Sequence, residues 1–187
     1  RVRCLKYADL NGDGRINQDD QTWIMNPVPA FSYGLNVAVS YKNFDISMFW
    51  QGVADQDIYN NQKFQTDFWS ITDAGSNKGN RMLNAWTSDN TDSSIPALTT
   101  NNTADEGRVS TYYVENGSYL KLRTLQLGYN VPEKFISKFK MSSLRAYISG
   151  QNLLTLKSSS LTCSDPENPS WAYPLATSIS FGLQVGF

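Results

Sequence analysis

The feature that most constrains this chain is a strict alternation of apolar and polar residues at its C-terminal end. In residues 178–187, an apolar side chain occupies every second position. These side chains are Ile179, Phe181, Leu183, Val185 and Phe187. The positions between them hold only serine, glycine and glutamine. Because successive side chains of a strand point to opposite faces, the pattern predicts a β-strand with one apolar face.

The same period of two recurs at 31–41, 44–52 and 143–151. Only Lys42 and Asn43 separate the first two segments, which predicts a two-residue hairpin. In that hairpin Tyr41 and Phe44 lie opposite each other, so the apolar faces of both strands agree in register. The sequence therefore predicts an antiparallel, all-β fold.

Strand length and loop length together favour a transmembrane β-barrel. Strands of about nine to eleven residues cross a bilayer when tilted, and the predicted strands have this length. The polar segment 53–117 and the irregular segment 157–176 suit long extracellular loops, whereas 132–142 predicts a short amphipathic turn or helix. A soluble β-sandwich remains the alternative, because its strands also alternate.

A fifth strand, predicted at 118–131, has a break in its alternation. Leu120 and Leu122 have the opposite parity to Leu125 and Leu127. Either a bulge near Arg123 resets the register, or this end of the strand projects above the bilayer.

Five strands cannot close a membrane barrel, since the smallest barrels have about eight and open edges are not tolerated in lipid. We therefore expect these to be the C-terminal strands of a longer polypeptide. The start at Arg1, without a signal peptide, agrees with that expectation.

Composition lowers the expectation of an enzyme and of a nucleic-acid partner. The chain has no histidine, the residue used most often in acid–base catalysis, although catalysis by carboxylates stays possible. Net charge is −1, and the only local concentration of basic residues is Lys134, Lys138 and Lys140. The two cysteines, Cys4 and Cys163, are either a disulfide or two free thiols.

Residues 9–20 have the spacing of an EF-hand loop. The candidate ligands, at loop positions 1, 3, 5, 7 and 12, are Asp9, Asn11, Asp13, the Arg15 carbonyl and Asp20. Ca²⁺ prefers six to eight oxygen ligands, and Gly14 at position 6 allows the sharp turn. Aspartate instead of glutamate at position 12 predicts weaker Ca²⁺ binding or a shift toward Mg²⁺. The alternative is a turn stabilised by its own side-chain hydrogen bonds.

Four segments, in order, resemble the SusC/RagA-type TonB-dependent transporters of Bacteroidetes. They are YADLNGDGRI at 7–16; 26–36 with 44–52 and 57–60; NGSYLKLR at 116–123 with 127–129; and GQNLLT at 150–155 with 165–167 and the terminal strand. The segment 61–115 matches nothing in the family, as expected of a variable outer loop.

This resemblance implies a barrel of about 22 strands with a plugged lumen. It implies an outer-membrane importer of a glycan or an oligopeptide, with a SusD-like lipoprotein lid, and with TonB acting through a plug outside this chain. No catalytic residues are implied. Residues 1–29 would be an extracellular loop with the cation site, and 30–187 the C-terminal strands and loops. The apolar row from Ile179 to Phe187 would be an insertion signal, with Phe187 at the inner interface.

A secreted calcium-dependent binding module, dockerin-like or carbohydrate-binding, is the second reading. Dockerins carry two such loops, whereas this chain has one, and strands follow it instead of a helix. For the aromatic residues of 53–117, packing that holds the long loop together is favoured over stacking on sugars or contact with a partner. The run Asp165-Pro166-Glu167 favours a turn over a binding site.

Overall fold

A computed structural model describes residues 4–69, 77–98, 106–170 and 173–187. Within these residues, a five-stranded antiparallel sheet has the order β1-β2-β5-β6-β7, and β3 and β4 form a separate pair. The strands are β1 (Phe31–Tyr41), β2 (Phe44–Ala54), β3 (Asp57–Tyr59), β4 (Val114–Asn116), β5 (Tyr119–Asn130), β6 (Ser143–Lys157) and β7 (Ser178–Gly186).

The helical elements are short and lie in the connections. They are α1 (Asn61–Phe64), α2 (Glu133–Ile136), a π-helical turn (Gln65–Trp69) and 3₁₀ turns at Gln18–Asp20, Asn80–Asn84, Thr111–Tyr113 and Ser137–Phe139. No helix among the described residues is long and apolar enough to cross a membrane.

The β1–β2 hairpin has the predicted register. Tyr41 pairs with Phe44, and pairing continues without a break to Phe31 and Ala54, two residues beyond the predicted end. Lys42, with φ of 53°, adopts the left-handed conformation that a two-residue turn requires.

The bulge predicted near Arg123 is confirmed. On the β2 side, Phe49 pairs with Thr124 and Trp50 pairs with Leu122, so Arg123 is passed over. The register with β6 shifts at the same place. The extra residue returns Leu122 to the apolar face that it would otherwise leave.

Strand β6 is longer than predicted, because it continues to Lys157 instead of ending at Gln151. Asn152 has φ of 53°, and this irregularity interrupts the visible alternation without ending the strand. Pairing with β5 resumes at Leu154.

The apolar face of the sheet is exposed, and the buried residues lie elsewhere. Phe31, Leu35 and Phe181 are 58–80% exposed. The most deeply buried side chains, among them Tyr113 and Cys163, belong to the connections. A soluble sandwich would cover one face of its sheet with a second sheet, and the three-residue strands β3 and β4 are too short to do so.

Both outer strands of the sheet have one unpaired edge within the described residues. Strand β1 pairs only with β2, and β7 pairs only with β6. The sheet is therefore open in this chain, and its two edges are free to accept further strands.

Candidate functional site at the long-loop end of the sheet

The connections of the sheet differ strongly at its two ends. At the short-turn end, the chain passes through Lys42–Asn43 and through residues 131–142. At the long-loop end lie the first long loop, residues 55–118, and the second long loop, residues 158–177. The candidate site is built where these two loops meet.

Aromatic side chains form the core of the first long loop. The ring of Tyr113 lies 5.2 Å from Phe64 and 5.8 Å from Tyr59, between ring centroids. Tyr113 is fully buried and packs with Met82 and Ala85. These rings hold the loop together, which is the packing role predicted for its aromatics. The side chains of Phe68 and Trp69 lie outside the described part.

A buried carboxylate joins the first loop to the second. Glu115 accepts hydrogen bonds from Asn60 Nδ2 at 2.9 Å, from Thr162 N at 2.8 Å and from Thr162 Oγ1 at 2.8 Å. Lys63 Nζ lies 3.4 Å from Glu115 Oε1. Burial opposes the charged form, but these hydrogen bonds and Lys63 outweigh it, so the pKa of Glu115 is lowered.

A second buried carboxylate, Asp67, lies within the first loop. Tyr112 donates a hydrogen bond to Asp67 Oδ2 at 2.8 Å, and Arg81 Nε is 3.3 Å from the same oxygen. Here burial prevails over both partners, and the pKa of Asp67 is raised. Lys63 Nζ lies 4.0 Å from the centre of the Tyr112 ring. Arg81 Cζ lies 5.8 Å from the same ring centre, so the positive charges of Lys63 and Arg81 are both close to Tyr112.

The second loop is fastened to β5 by an ion cluster centred on Lys121. Lys121 Nζ lies 2.7 Å from Asp165 Oδ1 and 2.6 Å from Glu167 Oε2. Glu167 also accepts hydrogen bonds from Tyr119 Oη at 2.6 Å and from Arg123 Nη2. The Lys121 side chain is 3% exposed and that of Asp165 is 7% exposed, so this is a buried pair.

The predicted turn at Asp165-Pro166-Glu167 is present, since Asp165 accepts a hydrogen bond from Glu167 N at 3.0 Å. Its two carboxylates also take part in the ion cluster. Burial opposes their charged forms, but the hydrogen bonds from Lys121 and its neighbours lower both pKa values. The sequence predicted only the turn and missed the part that Asp165 and Glu167 take in the ion cluster.

A cavity of about 490 Å³ lies beside the cluster at the long-loop end. Its lining includes Met25, Pro27, Tyr59, Tyr119, Pro166 and Glu167. Gln56 Nε2 donates to the Pro27 carbonyl at 2.8 Å and so holds the segment before β1 against the loop. The cavity walls are mostly apolar, and Asp57 and Glu167 are the charged residues among them.

The candidate cation loop at 9–20 is exposed, and its carboxylates accept hydrogen bonds from loop amides. Asp9 accepts from Gly12 N at 2.7 Å and from Gly14 N at 2.8 Å. Both glycines have φ near the left-handed region, at 78° and 76°. The turn conformation predicted for Gly14 is thus present, and Gly12 shares it.

Asp20 closes the candidate cation loop by accepting from Asn17 N at 2.8 Å and from Leu10 N at 2.7 Å, and these bonds lower its pKa. Asp13 accepts from Arg15 N at 2.7 Å, and its own N–H donates to the Asn11 side chain at 3.0 Å.

These oxygens are of the kind that Ca²⁺ prefers. Among the described residues, however, no three acidic or thiol side chains lie close enough together to hold a metal ion. Binding would require Asp9, Asp13 and Asp20 to draw closer, and the cation site stays a prediction.

Both cysteines are free thiols. Cys163 is fully buried beside Ile58 and Leu161, and this burial raises the pKa of its thiol. Of the two readings left open by the sequence, the structure has the unpaired one.

An ion pair crosses the polar face of the sheet near the short-turn end. Asp45 on β2 accepts from Arg145 on β6, with Nε at 3.2 Å and Nη2 at 2.5 Å. Strand β5 lies between them, and Gly128 is the residue that they cross. A side chain at Gly128 would overlap both charged groups, which explains glycine inside a regular strand.

The terminal row occupies the edge strand β7. Ile179, Phe181, Leu183 and Val185 lie in β7, opposite β6 residues of the same apolar face. Phe187 follows the last strand residue and is 92% exposed. Phe187 is thus accessible, and the insertion signal stays a prediction.

The clusters around Glu115, Asp67 and Lys121 were missed by sequence reasoning, because their members are far apart along the chain. One signal was available for Lys121. It is a charged residue in the middle of a strand whose neighbours are leucines, and a buried charge needs a partner.

No protein-family model matches the chain. Over 152 residues the chain is 38% identical to TonB-dependent receptor P3 of Formosa agariphila, which covers 80% of this chain and 14% of the receptor. It is 28% identical to TonB-dependent receptor SusC of Bacteroides thetaiotaomicron, over 97% of this chain and 17% of that receptor.

Among solved structures, the RagAB peptide importer in the open-open state matches 92% of this chain and 19% of its own, with a TM-score of 0.73 and 25% identity. The chain thus spans between 14% and 20% of the length of the relatives it matches.

Proposed function

Because the chain belongs to the TonB-dependent receptors of the SusC/RagA type, we propose that it forms part of an outer-membrane transporter that imports a glycan or an oligopeptide. The observation that carries this proposal is the uncovered apolar face of the five-stranded sheet. Exposure of such a face to water is energetically unfavourable, whereas the strands of a membrane barrel place their apolar face against lipid. The relatives are receptors, so they also support import over catalysis, as predicted, and over a secreted binding module.

In the proposed transporter, the two free edges of the sheet pair with further strands of the receptor. Closure is required because unpaired backbone groups cost several kcal/mol each in lipid. We expect a barrel of about 22 strands, with the polar face of Asp45 and Arg145 toward a plugged lumen. TonB would act through the plug, outside this chain.

The long-loop end faces the cell surface in this proposal, because outer loops of such barrels are long and inner turns are short. The first and second long loops would then contact the cargo and a SusD-like lipoprotein lid. The match to a peptide importer supports the oligopeptide class of cargo. The family resemblance keeps a glycan as the other class.

Two further roles belong to this proposal. The 9–20 loop binds Ca²⁺, or Mg²⁺ at shorter distances, through Asp9, Asn11, Asp13, the Arg15 carbonyl and Asp20. The row from Ile179 to Phe187 faces lipid and serves as the insertion signal, so deleting Phe187 should lower the amount of receptor in the outer membrane.

The test of import uses the full-length receptor in its own cell. Deletion of its gene should abolish growth on one glycan or one oligopeptide mixture as sole nutrient, and a protonophore should stop uptake by wild-type cells. A tagged receptor should fractionate with the outer membrane and bring a surface lipoprotein with it. Recovery of the full-length protein in the culture medium without detergent would contradict the proposal and favour a secreted binding module.

A further inference from the structure

The connection between β5 and β6 contains a short helical segment that exposes two aromatic rings. Helix α2 continues into the 3₁₀ turn Ser137–Phe139 and ends at Lys140, whose φ is 56°. Ile136 is buried, whereas Phe135 is 63% exposed and Phe139 is 71% exposed. The segment is thus anchored by one apolar residue and presents two others outward.

The pattern of exposure in this segment is amphipathic. Phe135 and Phe139 are both exposed, whereas Ile136 between them is buried, so both rings lie on the outward side of the segment. Lys134 and Lys138 each directly precede one of these phenylalanines in the sequence, and both are exposed. Aromatic residues beside a row of lysines are typical of helices that lie in a membrane interface.

Charge at this place is strongly positive. Lys134, Lys138 and Lys140 are all exposed, and Glu133 is the only acidic residue in 131–142. Within the described part of the chain, none of these three lysines forms a salt bridge with a carboxylate. Lys42 adds a fourth cation at the same end of the sheet.

The position of the segment is continuous with the exposed apolar face. Asn130, which precedes the connection, donates from its backbone N to the Asn43 carbonyl at 2.8 Å, so the connection starts beside the β1–β2 turn. At that end, the rings of Phe44 and Tyr129 lie 4.7 Å apart on the apolar face. Aromatic side chains at the ends of membrane strands mark the interface with water.

We propose that residues 133–140, the basic-aromatic segment, form a binding surface for anionic phospholipid at the inner leaflet of the outer membrane. Phe135 and Phe139 enter the boundary between headgroups and acyl chains, and Lys134, Lys138 and Lys140 bind the phosphates. This inference rests on the proposed function, because it needs the apolar face of the sheet to lie in lipid. A periplasmic protein that covers the segment is the competing explanation.

The first test measures where the segment lies. The full-length receptor carries Phe139→Cys, Phe181→Cys or Leu83→Cys in an otherwise cysteine-free background. Each cysteine is labelled with a nitroxide, and the protein is placed in phosphatidylglycerol-containing nanodiscs. We expect oxygen to relax the label at 139 more strongly than a water-soluble nickel chelate does. The label at 181, on the apolar face, should behave in the same way, and the label replacing the exposed Leu83 should behave oppositely.

The outcomes separate the two proposals. If the label at 181 is in lipid and the label at 139 meets the nickel chelate as freely as the label at 83, the segment does not bind lipid. If the label at 139 is shielded from both reagents, a protein surface covers it and the inference is also overturned. If the label at 181 itself lies in water, the proposed membrane location fails.

The second test measures charge selectivity. Each lysine near an anionic surface contributes a factor of about five to binding, the equivalent of about 1 kcal/mol. Lys138→Gln should therefore weaken binding of fluorescent phosphatidylglycerol to the detergent-solubilised receptor about fivefold. Lys6→Gln, which removes an exposed lysine elsewhere, should leave it unchanged. Equal affinities for the two variants, or an equal fall for phosphatidylcholine, would overturn the proposal.

Discussion

Replacing Lys121 with methionine tests the ion cluster that fastens the second long loop to β5. Methionine keeps most of the volume of the lysine stem and removes only the charge. Two carboxylates then lose a partner, Asp165 at 2.7 Å and Glu167 at 2.6 Å. The strand itself should stay paired, because its backbone bonds are unchanged.

The expected loss of free energy depends on which hydrogen-bond partners each carboxylate keeps. Glu167 keeps Arg123 and Tyr119. Among the described residues, Asp165 keeps only backbone N–H groups, those of Glu167 at 3.0 Å and Leu175 at 3.4 Å. Removing one partner of a buried pair costs about 3–5 kcal/mol. Since the backbone bonds offset part of this, we expect about 3 kcal/mol, which is about a hundredfold in an equilibrium between the docked and undocked loop.

Hydrogen exchange of the full-length receptor in detergent measures that equilibrium. Amides of residues 161–168 should exchange about a hundredfold faster in Lys121→Met. Lys157→Met is the matched control, because exposed Lys157 donates to the neutral Cys163 carbonyl in the same loop. That variant should change exchange by about fivefold or less. Equal effects of the two substitutions would refute the argument from buried charge.

The same cluster gives a pH dependence with a definite sign. The folded-state pKa values of Asp165 and Glu167 are lowered, so their contribution is present above the ordinary pKa of about 4 and is lost as pH falls through the folded values. The wild-type loop should open only in acid below about pH 4. Without Lys121, less offsets the effect of burial on the pKa values of Asp165 and Glu167. The loop should therefore open at a higher pH than in the wild type.

Three other predictions concern the cation loop and the sheet. Calcium should raise the Tm of the full-length receptor. Asp9→Asn should abolish that rise, whereas Asp19→Asn, which lies outside the ligand set, should keep it. Equal calcium responses of the two variants would count against the site. Gly128→Ala should lower the free energy of unfolding by about 1–3 kcal/mol, because the added methyl group overlaps the Asp45–Arg145 ion pair. The temperature at which the heat-modifiable band disappears in gel electrophoresis should fall accordingly. Leu183→Arg should cost about 2–4 kcal/mol near mid-bilayer and reduce outer-membrane levels, whereas Gln184→Ala on the opposite face should not; normal levels of both would remove the support for a lipid-facing β7.

The strands were predictable because their alternation is local. An unbroken period of two specified β1 and β7 to within a residue at each end. The break at Leu122 could also be interpreted, since a charged residue between two leucine rows of opposite parity indicates a bulge. The end of β6 was missed because Asn152 interrupts the alternation while the hydrogen-bond ladder continues.

The packing between the first and second long loops could not be predicted from the sequence. Glu115 and Thr162 are far apart along the chain, and neither lies in a periodic segment. Their pairing depends on how two irregular loops pack against each other, which side-chain periodicity does not describe. The cation loop is the opposite case, because all its candidate ligands lie within twelve consecutive positions, and its spacing alone predicted the turn at Gly14.

The strand order of the sheet also determines how quickly its parts can assemble. The β1–β2 hairpin closes across two residues and β5–β6 across a short connection, so both can form early at little entropic cost. Pairing of β2 with β5 must close the first long loop, and the bond between Glu115 and Thr162 needs the second loop as well. Because contacts between distant residues slow folding, the β2–β5 seam should be the last to form. Until then the inner edges of two preformed hairpins stay exposed, and such edges are sites where other chains can pair by strand addition.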